Sequence, residues 1–224
     1  MTKAAVQTIA VIDFETTGLS PNGGGRATEI AAVLVRGGVI VDAYQSLMQT
    51  GAWVPPFIQA LTGISNEMLA DAPSAESVMQ DLALFTRGCP LVAHNASFDR
   101  GFWQAEMARA GCMPDPAHES FACTVLLARR LYLDAPNCRL GTLAQFHGLP
   151  ETGRAHRALA DATTTAHLLL LMQRDIAERF AGELGSQAVE HGLLNQLQRA
   201  HKLALKRSVQ DYVKHRGLQA LAAH

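Results

Sequence analysis

The sequence predicts an α/β fold, a layered sheet of mixed strand direction flanked by helices. Three observations carry this: a β-rich opening with a hairpin signal, two later apolar runs that lead straight into helices, and a long amphipathic stretch near residue 170. Residues 8–12 form a β-branched apolar run, read as a buried strand that delivers Asp13 at its C-terminal end. A Pro-Asn-Gly-Gly-Gly loop at 21–25 follows, and then two runs, 29–36 and 39–48, separated by Gly37-Gly38 as in a β-hairpin. Between residues 53 and 72 the Pro55-Pro56 pair and the Thr62-Gly63-Ile64-Ser65 turn mark short helices, and Ser74 is the N-cap of a helix reaching Phe85.

Residues 90–93 read as a second buried strand, and a helix over 97–110 carries Asp99 in its first turn and stops at Gly111. The stretch 121–132 begins as a strand and continues as a helix, 140–147 is a short helix ended by Gly148, and 158–180 is a long amphipathic helix containing Asp161. Residues 181–224 differ in character. Arg199, Lys202, Lys206, Arg207, Lys214 and Arg216 outnumber Glu183, Glu190 and Asp211, and leucines recur at helical spacing, so this stretch is expected as a basic helical tail on a domain of residues 1–180.

At 224 residues and 48% hydrophobic the chain can bury one substantial core. Its net charge of -1 excludes a global positive field that would wrap a long duplex, so any polynucleotide contact is local. The spacing of Cys89, Cys112, Cys123 and Cys138 fits neither a zinc knuckle nor a redox pair. No charged and apolar leader opens the chain and the 168–172 apolar run is too short to cross a bilayer, so a cytoplasmic protein without a membrane partner is expected.

Four carboxylates and one histidine stand out: Asp13, Glu15, Asp99, Asp161 and His156. Asp13 and Glu15 are two apart on a strand end, so their side chains leave on one face and can share a cation, whereas Phe14 points the other way. Gathered carboxylates repel one another, and hard oxygen ligands of this kind suit Mg²⁺ or Mn²⁺. Five residues along a continuous helix rotate by about 500°, which would leave His156 and Asp161 about 140° apart. His156 is therefore placed on the segment after Gly153, just before the helix that fixes Asp161. A histidine titrating near pH 6.5 when unperturbed is suited to deprotonate water.

Asp13-x-Glu15, then Asp99 within His94-Asn95-x-x-Phe98-Asp99, then His156 and Asp161 resemble the DEDDh 3'-5' exonucleases, the family of the bacterial proofreading epsilon subunit and of ribonuclease T. The resemblance covers about residues 6–178. It implies a ribonuclease H-like, mixed five-stranded sheet and two metal ions per site, with Asp13, Glu15 and Asp161 on one ion, Asp13 and Asp99 on the other, and His156 as base. It further implies that Leu19 wedges against the terminal base, that Thr16, Thr17 and Gly18 meet the terminal sugar, and that His94, Asn95 and Phe98 line the cleft; Thr62 lies in a recurrent family segment. A loop-anchoring role for Leu19 stays open. Of Phe102 and Trp103, Phe102 is favoured for stacking on a base because it lies one turn from Asp99. The expected substrate is a single-stranded or frayed 3' end of DNA or RNA, and residues 181–224 are a candidate tether to a DNA polymerase subunit, with a solvated helical appendage, a nucleic-acid clamp or an oligomer contact equally open. The rival reading is a catalytically silent module of the same fold.

Overall fold

A computed structural model describes residues 6–222; the outermost residues of the two expected segments, 1–5 and 223–224, lie outside the described residues. The strands are β1 (Thr8–Thr16), β2 (Ala27–Arg36), β3 (Val39–Leu47), β4 (Leu91–Ala93) and β5 (Phe121–Cys123). The helices are α1 (Pro56–Thr62), α2 (Asn66–Ala70), α3 (Ala75–Phe85), α4 (Ala96–Arg109), α5 (Thr124–Leu131), α6 (Leu140–His147), α7 (Ala158–Arg179), α8 (Ala181–Leu184), α9 (His191–Leu197) and α10 (Leu205–Ala222). One sheet has the order β3-β2-β1-β4-β5, with β1 antiparallel to β2 and parallel to β4.

β1 is central and buried on both faces, and its alternation sorts the two cores. Ile9 and Val11 face the cluster built on α7, whereas Ala10, Ile12 and Phe14 face the cluster that contains residues of α3 and α4. Asp13 and Glu15 continue the parity of Ile9 and Val11, so they leave the strand on the α7 side. β1 runs past the boundary expected at Asp13: Asp13 pairs with Ala31, Glu15 with Glu29 and Thr16 with Ala27 on β2. Polar residues end a strand only where water competes for the backbone, and here the neighbouring strand holds it.

Residues 181–209 are woven into the fold. Leu193, Leu194, Leu197, Leu205 and Val209 are buried in the same cluster as Leu127, Met172 and Ile176. Gln198 seals the sheet edge by accepting from the Cys123 amide at 2.6 Å and donating to the Phe121 carbonyl at 2.9 Å, the two bonds a further strand would offer β5. His191 and Gln7 meet by a backbone-to-side-chain bond of 2.9 Å, which puts α9 at the end of the sheet where β1 begins. A freely solvated appendage is therefore not what this segment forms. Burying each of those five side chains contributes roughly 1.5–3 kcal/mol, which together rivals the 5–15 kcal/mol that holds a typical domain. Ending the chain at residue 180 is expected to abolish the cooperative thermal transition seen by circular dichroism, and an unchanged melt would show the segment to be dispensable. None of the described helices is long and apolar enough to cross a membrane.

Candidate active site

The C-terminal end of β1 opens onto a cleft of about 270 Å³ that brings together Asp13, Glu15, His156 and Asp161. Open α/β sheets form crevices at the carboxyl ends of their strands, where helices part to either side. β4 passes into α4 through Asn95, which takes a left-handed turn (φ 68°) and so delivers Asp99 within the first helical turn. Asp99 is 2% exposed and its Oδ1 accepts from the Phe14 amide at 3.1 Å, tying α4 to the strand that carries Asp13 and Glu15. Asp161 sits in the first turn of α7, as the spacing required.

Glu29 on β2 fixes the start of α7. Its carboxylate accepts two bonds from the Arg157 guanidinium, at 3.0 and 2.7 Å, and one from the Ala158 amide at 3.0 Å. Arg157 is the N-cap residue of α7 and makes no cap bond of its own, so Glu29 satisfies an amide that would otherwise lack a partner. Burial raises the Glu29 carboxyl, but the bonds from Arg157, Ala158 and Gln45 outweigh it and hold the group below its usual value. Sequence reasoning missed this pair. An acid inside the apolar run of β2 is its one local signal, because the partner lies 128 positions away.

His156 follows from that anchor. It takes a positive φ of 61°, unusual for a residue with a Cβ, and its backbone N–H donates to Asp161 Oδ2 at 3.0 Å. Among the described residues the imidazole has no hydrogen-bond partner, and ligand atoms of Glu15, His156 and Asp161 all lie within 4.8 Å of one another.

The acids crowd. Asp13 is raised well above the ordinary carboxylate range by burial, then by Asp99, Glu15, Asp161 and Glu29. Burial, with Asp161, Glu29 and Asp99, pushes Glu15 up to about 8 against the opposing pull of Arg157. Burial takes Asp99 up to about 7 despite the Phe14 amide, and it raises Asp161 despite the His156 amide. Arg157, the guanidinium beside Glu15, is already committed to Glu29, so the cluster's negative charge is left largely uncompensated by protein. This is the donor set that hard divalent cations fit: several carboxylate oxygens, those of Asp99 and Asp161 held by backbone amides, with the His156 imidazole beside them.

Phe14, Thr16, Gly18, Leu19, Thr62 and Phe98 also line the cleft. Leu19 is 91% exposed, which sets aside the loop-anchoring alternative. Thr17 turns away: its backbone N–H donates to the Arg26 carbonyl and its hydroxyl accepts from the Arg26 amide. Neither His94 nor Asn95 lines the cleft. The ring nitrogens of His94 are spent on the Thr124 hydroxyl at 2.8 Å and the Cys138 carbonyl at 3.0 Å, and burial lowers its pKa to about 4.

Phe102 also departs from expectation. It is 0% exposed and packs against Phe98 and Phe14, at ring-centroid distances of 5.0 and 6.3 Å, so it cannot stack on a base. Asp99 is itself buried, and one turn onward from it leads into the core. Trp103 packs edge-on against His118. The residues that sequence reasoning did not find are Phe57, Ile58 and Leu61 of α1, which form the wall beside Thr62. Three apolar residues, Phe57, Ile58 and Leu61, on a helix as short as the Pro55-Pro56 and Gly63 signals allow were the available signal. A larger cavity, about 1210 Å³, lies near the start of β1 and involves Gln7, Gly38 and Leu170, away from these acids.

Residues 10–169 match the family model described as Exonuclease, of the RNase T type. The PolC-type DNA polymerase III of Bacillus cereus is 37% identical over 175 residues, which are 78% of this chain and 12% of that protein. The 3'-5' exonuclease DinG of Staphylococcus epidermidis is 36% identical over 165 residues, 74% of this chain and 18% of that one. The chain thus spans less than a fifth of the length of these curated relatives. Among solved structures, exonuclease X in complex with 5' overhanging duplex DNA is 32% identical with a TM-score of 0.59, covering 74% of this chain and 91% of that one. The nuclease domain of 3'hExo, a DEDDh family member bound to rAMP, is 19% identical with a TM-score of 0.65 over 78% and 95% of the respective chains, and shares the fold.

Proposed function

The chain belongs to the exonuclease family whose pattern its residues 10–169 carry, and on that premise we propose a metal-dependent 3'-5' exonuclease that releases nucleoside monophosphates from a single-stranded or frayed 3' end. The observation that carries the reading is the meeting of four acids and His156 at the end of the central strand, beside walls of exposed apolar side chains. Asp13, Glu15 and Asp161 would hold one Mg²⁺ or Mn²⁺ ion, and Asp13 with Asp99 a second. Such a pair of ions neutralises charge on the entering and leaving oxygens of an in-line displacement.

The chain's own residues do the rest. The His156 imidazole accepts a proton as water attacks phosphorus; the bond from phosphorus to the 3' oxygen of the preceding nucleotide breaks, and that oxygen takes a proton from solvent. Leu19, Phe57, Leu61 and Phe98 offer apolar surface to the terminal bases, which fits an end-reading enzyme of short footprint. The DNA in the exonuclease X complex and the polymerase relatives favour DNA as substrate. A polymerase partner reached through residues 181–224 would meet the outer face of α10, because buried Leu205 and Val209 commit its inner face to the core.

The test is digestion of matched 5'-labelled single-stranded DNA and RNA with Mg²⁺ or Mn²⁺. A ladder that shortens from the 3' end, faster on DNA and abolished by a chelator, is expected. Intact substrate in every lane would instead support the silent module.

A further inference from the structure

The segment that presents His156 is tied down at two points of unequal strength. On one side Arg157 is clamped by buried Glu29. On the other side Arg154, exposed to solvent, reaches across to α1, where its Nη2 donates to the carbonyls of Ala60 and Leu61, each at 3.3 Å. Those carbonyls belong to the last turn of α1, which has no basic residue of its own there. The end of a helix presents unpaired carbonyls and partial negative charge, a natural seat for a guanidinium. Gly63 leaves room for it: the glycine caps α1 at a φ of 75°, and a Cβ there would stand 2.6 Å from Arg154 Nη1.

α1 is also the wall that carries Phe57, Ile58, Leu61 and Thr62 into the cleft. Arg154 therefore joins the wall on which a terminal base would rest to the segment holding the base catalyst two residues on. Solvent-exposed contacts of this sort contribute little to stability and exchange readily. We infer that Arg154 is a positioning residue: it latches the 153–157 segment to α1, so that a nucleobase seated on α1 sets His156 for proton transfer. This rests on the exonuclease reading above and adds to it a coupling between end recognition and the chemical step.

The experiment compares full-length wild type, Arg154→Ala and Arg154→Lys on oligodeoxythymidine ending in an intact or an abasic 3' nucleotide. For the wild type, loss of the terminal base is expected to lower kcat by roughly 10-fold, since misplacing a catalytic group costs up to about 10²-fold. Arg154→Ala is expected to lower kcat on the intact end by a similar factor, with KM within about threefold, and to erase the difference between intact and abasic ends. Lysine, able to donate to both carbonyls, should recover most of the loss. Hydrogen exchange should quicken over residues 153–157 in Arg154→Ala while the body of α7 keeps its protection. Normal kcat in Arg154→Ala, or a loss that leaves the sensitivity to the terminal base intact, overturns the latch. A wild type that releases no nucleotide from either end overturns the exonuclease reading as well, so the two failures are told apart.

Discussion

Asp13→Asn is expected to abolish nucleotide release while leaving the chain folded and, at neutral pH without divalent ions, more stable than the wild type. Asp13 lies among Glu15, Asp99 and Asp161, and burial together with those neighbours raises its carboxyl. A carboxyl whose folded pKa exceeds its unfolded one keeps a proton that the unfolded chain has lost, so it contributes its stability below the unfolded value and loses it as pH rises through the folded value. For this cluster that window opens near 4 and extends to the values of about 7 for Asp99 and about 8 for Glu15. Chelator-treated wild type should melt at a lower temperature at pH 8 than at pH 5, and Mg²⁺ or Mn²⁺ should restore much of the loss. Replacing Asp13 by an uncharged group of like shape removes one carboxyl whose proton uptake on folding costs stability as pH rises, and should narrow the gap between the two pH values. A rise in Tm at pH 8 of roughly 2–4 °C, the shift that about 1 kcal/mol produces in a chain of this size, is the scale expected. Asn retaining near-normal nuclease rates would defeat the assignment of Asp13 as a bridging ligand.

The second large effect is at His156, where alanine is expected to lower kcat by roughly 10²- to 10⁴-fold, the range typical of a lost general base. The structure shapes the control. His156 occupies positive φ and touches Asp161 through its backbone amide, so the peptide contact survives any side-chain change. Alanine both removes the imidazole and puts another Cβ in a conformation that disfavours it, whereas asparagine tolerates that conformation better than most residues. His156→Asn should therefore be as slow as His156→Ala if the imidazole moves the proton. Recovery with asparagine would mean that the loop's conformation was the quantity lost, and a change confined to KM would make His156 a binding residue.

Much of the catalytic arrangement was legible because it is written in local periods. The strand alternation puts Asp13 and Glu15 on one face, the helix rotation keeps His156 off α7, and α6 spans the stretch expected of it, Leu140–His147. What was not legible is long-range. Periodicity reveals that Leu193, Leu194 and Leu197 share an apolar face but not that β5 and α10 pack against their helix. Proximity to Asp99 suggested that Phe102 enters the cleft, but a buried acid points the next turn inward, and Phe98 takes that place. Glu29, Arg157 and Arg154 carry no motif that names their partners. Each acts across 90 positions or more, and only the folded chain brings them to the base-bearing segment.

On the proposed reading the acids form a single receptacle for paired ions. Titration of chelator-stripped full-length protein with Mn²⁺, with the free ion followed by electron paramagnetic resonance, tests it most directly. The expected result is about two bound ions per wild-type chain, as a two-metal site requires, with binding lost or reduced to a single weak ion in Asp13→Asn. Equal binding by wild type and variant, or no binding above that of an unrelated acidic protein, would contradict it.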